Sequence, residues 1–423
     1  MKKQISKIIS HPLISGSAII FIGSLIGNIF NFFFNLYMSR NLSVEEYGEL
    51  ASLISLILLT ALAADSFVPT IVSFAGPYFL RKEQNNLEGL FFQVNKLAVI
   101  FGGVVILLFL LFSKYIGIFF NITDNFLIIL VGFIVFFGLL NSISRAFLQA
   151  ELSFVYISLI TIFSSLLKLI GGALLVFLSF GVGGALWAFV FTFVSSYFLF
   201  IIPLRSLLFS KNRVSPVGIT KLFSYAAPAT LSLLGLTFFI TTDVILIKHF
   251  FSAREAGLYA GLSLIGKVIF FFSTPVGMVM FPLIVHKHHK NEEFNNTFKL
   301  AVAFVFVVST LLTIFYFIFP EFTIRVFLKN DDYFVLKPLL GLFGVFITIY
   351  SVTTVLTNFY LSIRKTRVFL PVIFCSLLQA ALIWFFHNSF YQVIIFSILC
   401  ISLLLIILLL YYFMLYGSKT KDK

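Results

Sequence analysis

Long apolar runs alternate with brief polar breaks along nearly the whole chain. At about 1.5 Å of rise per residue, about 20 consecutive apolar residues are needed for a helix to cross a bilayer. Runs near 13–38, 48–76, 93–119, 125–149, 152–178, 182–206, 221–248, 257–285, 295–318, 335–361, 368–388 and 390–416 meet that requirement, so the pattern predicts twelve membrane-spanning helices. The first run is too long for a signal-peptide core and no small-residue cleavage pattern follows it, so it is read as the first span. Pro69, Pro228 and Pro275 fall inside the second, seventh and eighth spans, where a missing backbone hydrogen bond permits bending.

Within the runs the polar positions are periodic. Ser24, Asn28, Asn31, Asn35 and Ser39 share one face of the first helix, and Ser351, Thr354, Asn358 and Ser362 form a similar stripe on the tenth. Asparagine in hydrocarbon is costly unless it meets water or a partner, so each stripe faces either a wet cavity or a neighbouring helix. Gly23 and Gly27 on the first helix form a close-packing motif, so interhelical packing alone could account for the stripe, but the first helix's stripe is read as lining a cavity.

Composition removes whole classes of function. With 11% charged residues, 60% hydrophobic residues and a mean hydropathy of +1.10, the 423-residue chain leaves no room for a soluble catalytic domain. Its net charge of +13 is a topological bias: twenty of the 29 Lys and Arg fall on the side of the termini. Only Arg40, Lys114, Lys248, Arg254, Arg325, Lys329 and Lys337 fall on the other side. Basic loops resist translocation, so both termini are expected in the cytoplasm. No soluble basic fold is present to bind nucleic acid. Cys375 and Cys400 sit in apolar helices and are read as small hydrophobes outside any disulfide framework. The run His286 to Lys290 carries too much positive charge for a metal site and is read as a basic loop.

A repeat organises these spans. Residues 40–53 and 249–262, separated by 209, share Ser43/Ser252, Glu46/Glu255, Gly48/Gly257, Ala51/Ala260 and Leu53/Leu262, and Arg81/Lys290 and Glu83/Glu292 align at the same offset. Ser followed three residues later by Glu is also a helix-capping box, which explains the residues but not the spacing. An offset of six helices preserves membrane orientation. The expected architecture is therefore all-α, with two parallel six-helix bundles, 1–210 and 211–423, related by a pseudo-two-fold axis along the membrane normal. Such halves can rock about a central cleft.

Four ionisable residues fall within the spans: Asp65, Lys168, Asp243 and Lys267. Charge in the bilayer centre costs about 2.5–3.5 kcal/mol on insertion scales, so each is a functional candidate. Lys267, ten residues into its helix and on the face of Ser263 and Thr274, is placed near the midplane, where it either meets a pyrophosphate or sugar carboxylate or pairs with Asp243. Asp65 is read as a proton or sodium site or as the partner of Lys168. Arg145, near the cytoplasmic end of the fourth span, suits the cavity rim or lipid headgroups.

The segment Asn35-Leu-Tyr-Met-Ser-Arg40-Asn-Leu-Ser-Val-Glu-Glu-Tyr-Gly48-Glu-Leu-Ala51 resembles the first helix–loop–helix of oligosaccharide flippases of the O-antigen type. These belong to the multidrug/oligosaccharidyl-lipid/polysaccharide exporter superfamily. Thr242-Asp243-Val-Ile-Leu-Ile-Lys-His249, Glu255-Ala-Gly-Leu-Tyr259-Ala and Met280-Phe-Pro-Leu-Ile284 are similar to that family's seventh and eighth helices. The resemblance implies a V-shaped pair of bundles that carries an undecaprenyl-pyrophosphate-linked oligosaccharide from the cytoplasmic to the periplasmic leaflet. It also implies coupling to H+ or Na+, no cofactor, and work alongside a polysaccharide polymerase and a chain-length regulator. The implied substrate cavity is basic. Arg40, Lys168, Lys267 and Arg145 are its candidates with Asn28, Asn31 and Asn35, though only Arg40 and Asp243 lie on the recognised motif positions. Ile247-Lys248 replaces a glycine usual in the pattern.

Three other readings stand beside it. An ion-coupled multidrug antiporter of the same superfamily would prefer acidic groups in its cleft. A membrane-embedded polysaccharide-modifying enzyme would be expected to show a long outer loop or a substrate-facing histidine, and the longest outer loop is about 320–334. A structural subunit would leave the buried charges unexplained.

Overall fold

A computed structural model describes residues 12–65, 68–208, 219–289 and 292–416, and it is built of helices. They are α1 (Pro12–Asn41), α2 (Val44–Asp65), α3 (Val68–Arg81), α4 (Gln84–Phe120), α5 (Asn125–Ala150), α6 (Phe154–Phe177) and α7 (Gly181–Leu208). The second half holds α8 (Ile219–Phe250), α9 (Ala253–His289), α10 (Asn295–Ile318), α11 (Pro320–Phe327), α12 (Lys337–Ser362), α13 (Phe369–Phe385) and α14 (Phe390–Tyr416), with short 3-10 turns at Asp331–Leu336 and Thr366–Val368. Among the described residues, eleven helical segments are long and apolar enough to cross a membrane. The protein is a multi-pass integral membrane protein.

Each expected span corresponds to one helix, except that the second is described as α2 and α3, on either side of residues 66–67. The helix runs on through Pro228 in α8 and through Pro275 in α9. The short α11, whose Phe322 and Val326 are exposed beside the charged pair Glu321–Arg325, occupies part of the stretch 320–334 that was expected to be a loop.

The ends of the second and eighth spans differ from the expected starts at 48 and 257. The first turns begin at Val44 and Ala253, because the capping boxes form in full. The Ser43 amide donates to Glu46 Oε2 at 2.9 Å and the Glu46 amide to Ser43 Oγ at 3.1 Å. In the second half the Ser252 amide donates to Glu255 Oε2 at 3.0 Å and the Glu255 amide to Ser252 Oγ at 3.3 Å. Each box satisfies donors that a helix start leaves free.

The 209-residue repeat extends to other turns. The Glu83 amide donates to the Tyr78 carbonyl at 3.0 Å, and the Glu292 amide to the Lys287 carbonyl at 2.9 Å. After α5 and α12, at an offset of 212 rather than 209, the chain ends each helix with a left-handed residue, Leu152 at φ 67 and Arg364 at φ 60. The next amides, Ser153 and Lys365, close back on Leu148 and Tyr360 at 2.9 Å each. This is the C-terminal turn that absorbs orphan carbonyls, made here without glycine.

By contacts the chain divides into two compact units, Met1–Leu42 with Leu56–Thr230, and Ser43–Ser55 with Leu231–Lys423. The first turns of α2 group with the second unit. In the first unit α1 packs on α6, α6 on α7, and α5 against α3, α4 and α7. In the second, α12 is the centre, touching α9, α10 and α14, while α13 packs on α14. The most hydrophobic surface needs no burial here, since lipid is the solvent. The face of α1 bearing Ile22, Leu25, Ile29 and Phe33 is accordingly exposed.

Candidate functional site

In the first unit the seam between α1 and α6 is built from small residues. A β-carbon on Gly23 would lie 2.5 Å from Ser158 Cβ, and Phe34 and Met38 fill the space over Gly172. Ser158 Oγ donates to the Ile19 carbonyl at 3.0 Å across this seam. The packing motif Gly23–Gly27 thus does what its pattern implies. The stripe Asn28, Asn31 and Asn35 is half-buried beside the seam, and Asn35 Nδ2 donates to the Asn31 carbonyl of its own helix at 2.9 Å.

Lys168 stands on α6, half-buried, with its ammonium 4.4 Å from the ring centre of Phe189 on α7 and 5.1 Å from that of Phe34 on α1. The two rings meet edge to face at 5.4 Å and are buried at 7% and 0% exposure. They form a right-angled notch whose negative faces receive the cation, a contact worth about 2 kcal/mol when desolvated. Among the described residues no carboxylate pairs with Lys168. Asp65, its expected alternative partner, closes α2, but its side chain lies outside the described residues.

Arg40 is exposed in the last turn of α1. Arg145 is half-buried on α5. Near it Asn141, 8% exposed, donates from Nδ2 to the carbonyls of Phe137 and Phe193, both at 2.8 Å, tying α5 to α7.

The second unit holds the other charged group. Asp243 on α8 is 1% exposed, and its carboxylate accepts from Tyr259 Oη at 2.8 Å and from the Val244 amide at 2.8 Å. Tyr259, Ser263 and Lys267 recur every four residues on α9, so they share one face. Tyr259 is fully buried, edge-on to Phe343 and Phe390. Lys267 is half-buried and acts on Asp243 through space, with no direct ion pair between them among the described residues. The direct Lys267–Asp243 ion pair is therefore not formed among the described residues, although Asp243 acts electrostatically on Lys267. Ser263 Oγ between them is buried without a partner among the described residues.

The sequence patterns did not assign Tyr259 as the donor to Asp243, nor Phe34 and Phe189 as the cradle of Lys168. The four-residue steps from Tyr259 through Ser263 to Lys267 were a usable signal; the two phenylalanines offered none among 59. On α12 the polar stripe turns inward on its own helix, with Thr354 Oγ1 donating to the Tyr350 carbonyl at 2.9 Å and Ser362 Oγ to that of Phe359 at 2.6 Å. In the run 286–290, Lys287 Nζ donates to Thr297 Oγ1 at 2.8 Å, and the side chains of its neighbours lie outside the described residues.

Known proteins share this fold. An inward-facing multidrug resistance MATE family transporter of the MOP superfamily superposes with a TM-score of 0.75 at 15% identity, over 94% of this chain and 96% of that one. A MATE in complex with MaL6 gives 0.68 at 15% identity, over 98% of each chain. A MOP superfamily transporter from Pyrococcus furiosus gives 0.65 at 16% identity, over 97% of each. Identities this low carry the fold alone. No curated protein matches this chain in sequence. Residues 37–331, well over half of the chain, match the family described as polysaccharide biosynthesis protein. The residues that first suggested a flippase fall largely within that match, and on this ground the chain belongs to the polysaccharide biosynthesis protein family, on the fold of the MOP superfamily.

Proposed function

We propose that this protein moves an undecaprenyl-pyrophosphate-linked oligosaccharide from the cytoplasmic to the periplasmic leaflet of the bacterial inner membrane. It does so by alternating access, coupled to H+ or Na+, in the synthesis of O-antigen, capsule or another surface polysaccharide. Both termini are cytoplasmic in this reading, and the polymerase and chain-length regulator of the same assembly line are its partners. The observation that carries the reading is Lys168, a half-buried membrane cation cradled by two rings. Lys267 adds a second cation. The acid nearest to it, Asp243, is sealed by Tyr259. The accessible charge in these two places is positive, which suits a pyrophosphate or a sugar acid.

The family match supports polysaccharide as the pathway. The Pyrococcus furiosus neighbour is described as having a binding pocket of reverse polarity that suggests a different function, so the fold accommodates cargo of more than one sign. The second reading, an ion-coupled multidrug antiporter, is favoured by the MATE neighbours and by the buried carboxylate of Asp243. An enzyme acting on polysaccharide has no comparable support.

Deleting the protein should make lipid-linked repeat units accumulate in the cytoplasmic leaflet and reduce surface polysaccharide. Unchanged polysaccharide with increased sensitivity to cationic drugs would favour the antiporter and sink the flippase.

A further inference from the structure

Within the second unit, Phe304, Val307, Leu311, Ile314 and Ile318 recur every three or four residues on α10 and therefore share one face. Each is 46–61% exposed on a helix long enough to cross the membrane. The helix ends at Ile318, and Pro320, a residue suited to a helix start, opens α11. The apolar face does not end with it. Phe319 and Phe322 continue it at 49% and 59% exposure, and Val326 at 43%. The Phe315 ring centre lies 5.1 Å from that of Phe319 and 6.2 Å from that of Phe322, so one aromatic patch joins the end of α10 to α11.

Helix α11 has three sides. Spacings of three and four residues put Phe319, Phe322 and Val326 on one of them. Thr323 and Ile324, at 1% and 0% exposure, are buried on the second. The third carries Glu321 and Arg325, paired at 3.0 Å. Glu321 also holds Lys337, the first residue of α12, at 2.9 Å. Both cations lie over the Phe334 ring, Arg325 at 5.4 Å and Lys337 at 4.6 Å from its centre. The buried side and the tie to α12 together fix the roll of α11, and the aromatic side is left facing outward beside α10.

We propose that α11 is an interfacial helix whose Phe319–Phe322–Val326 side is seated among the lipid chains that cover α10 and whose Glu321–Arg325–Lys337 side lies in the headgroup layer. Lipid is the occupant because the patch is continuous with a face of α10 that already meets it. Aromatic rings at the level where a span ends match the belt found at membrane–water boundaries. A helix with an apolar side next to a charged one satisfies both at that boundary, whereas spanning would strand the charges and free water would strand the rings. The segment between α10 and α12 is thereby held at the membrane surface and does not project from it as a free loop.

The test needs no substrate. Phe322→Cys and Arg325→Cys are each spin-labelled in the full chain, with the unsubstituted chain as the blank for the buried Cys375 and Cys400. The labelled proteins are reconstituted in vesicles of phosphatidylethanolamine and phosphatidylglycerol. Relaxation of each label by oxygen, which concentrates in lipid, is compared with relaxation by a water-soluble nickel chelate. The oxygen-to-chelate ratio at Phe322→Cys should exceed that at Arg325→Cys by about twofold or more, since the apolar side of an interfacial helix sits about 5–10 Å into the headgroup–acyl boundary. Val326→Cys, on the same side, replaces Phe322→Cys if that variant does not elute as a folded monodisperse peak. A label on the aromatic side that the chelate reaches as readily as it reaches Arg325→Cys would place α11 in water and overturn the proposal. A label reached by neither reagent, with the chains cross-linking as dimers in the vesicles, would assign the face to a second copy and overturn it equally.

Discussion

Gly48 and Gly257, 209 residues apart in the chain, touch through their backbones within the second unit: a β-carbon on Gly48 would lie 2.5 Å from the Gly257 amide nitrogen. They are equivalent positions of the sequence repeat, so the contact is self-matching, one surface used twice. Neither backbone can give way as a flexible side chain would. Gly257→Ala should therefore cost about 3 kcal/mol, the upper end of the overpacking range. Gly103→Ala, which meets nothing within 4 Å, should be neutral or gain up to about 1 kcal/mol from helix propensity. Thermal unfolding of the purified variants in detergent distinguishes them, and equal midpoints would refute the close crossing.

The Tyr259–Asp243 hydrogen bond leaves a buried carboxylate dependent on a single hydroxyl from another helix. Tyr259→Phe should cost about 1–3 kcal/mol, the range for stranding a buried polar group. In a double-mutant cycle with Asp243→Asn the two changes should couple by more than about 0.5 kcal/mol. Strict additivity would mean the contact contributes nothing.

Lys168 separates a binding role from a structural one. Lys168→Met keeps the length of the side chain and its packing on Phe34 and Phe189 while removing the cation. If Lys168 serves an anionic cargo, the variant should unfold at an equal or higher temperature and still lose polysaccharide export, the pattern of a site that trades stability for function. A fall in unfolding temperature with normal export would assign it to the fold.

Each capping box should contribute independently of transport. Ser43→Ala and Ser252→Ala each remove an oxygen that caps an amide three residues on, and each should lower stability by about 1 kcal/mol. Serine-to-glycine at the same positions should cost only a few tenths of that.

Beside α11, Lys337 Nζ donates to Glu321 Oε2 at 2.9 Å and Arg325 to Oε1 at 3.0 Å. The bond and charge of Lys337, then the charge of Arg325, hold the Glu321 carboxyl below its usual range. A folded value below the unfolded one means that the stabilisation is complete above the unfolded carboxylate pKa, about 4.3. It is lost as pH falls through the folded value. Glu321→Gln should flatten stability against pH in that acid window and change little at pH 7, since exposed pairs contribute little. A pH profile identical to that of the unsubstituted protein would remove the pair from the account.

Much of this was legible before any coordinates. The helices that cross the membrane follow from runs of apolar residues, because in lipid a backbone must satisfy its own hydrogen bonds and only the helix does so within one segment. The two capping boxes and the 209-residue repeat were readable as letters, and the boxes then set the helix starts four residues earlier than the apolar runs suggested. Lys168, Asp243 and Lys267 announced themselves by sitting where charge is costly.

What no pattern along the chain could decide was which groups meet. Asp243 and Tyr259 lie on different helices, as do Lys168 and its two rings, and such meetings depend on helix rotation and crossing. In a chain with 18% aromatic residues, a ring facing lipid and a ring facing an ammonium look alike in sequence. Lys248 shows the division most sharply. By itself the sequence determined that a lysine replaces a glycine at the end of a span. Only the tertiary structure, which seats the tip of α2 on Gly257, showed that this lysine is buried at 3% exposure.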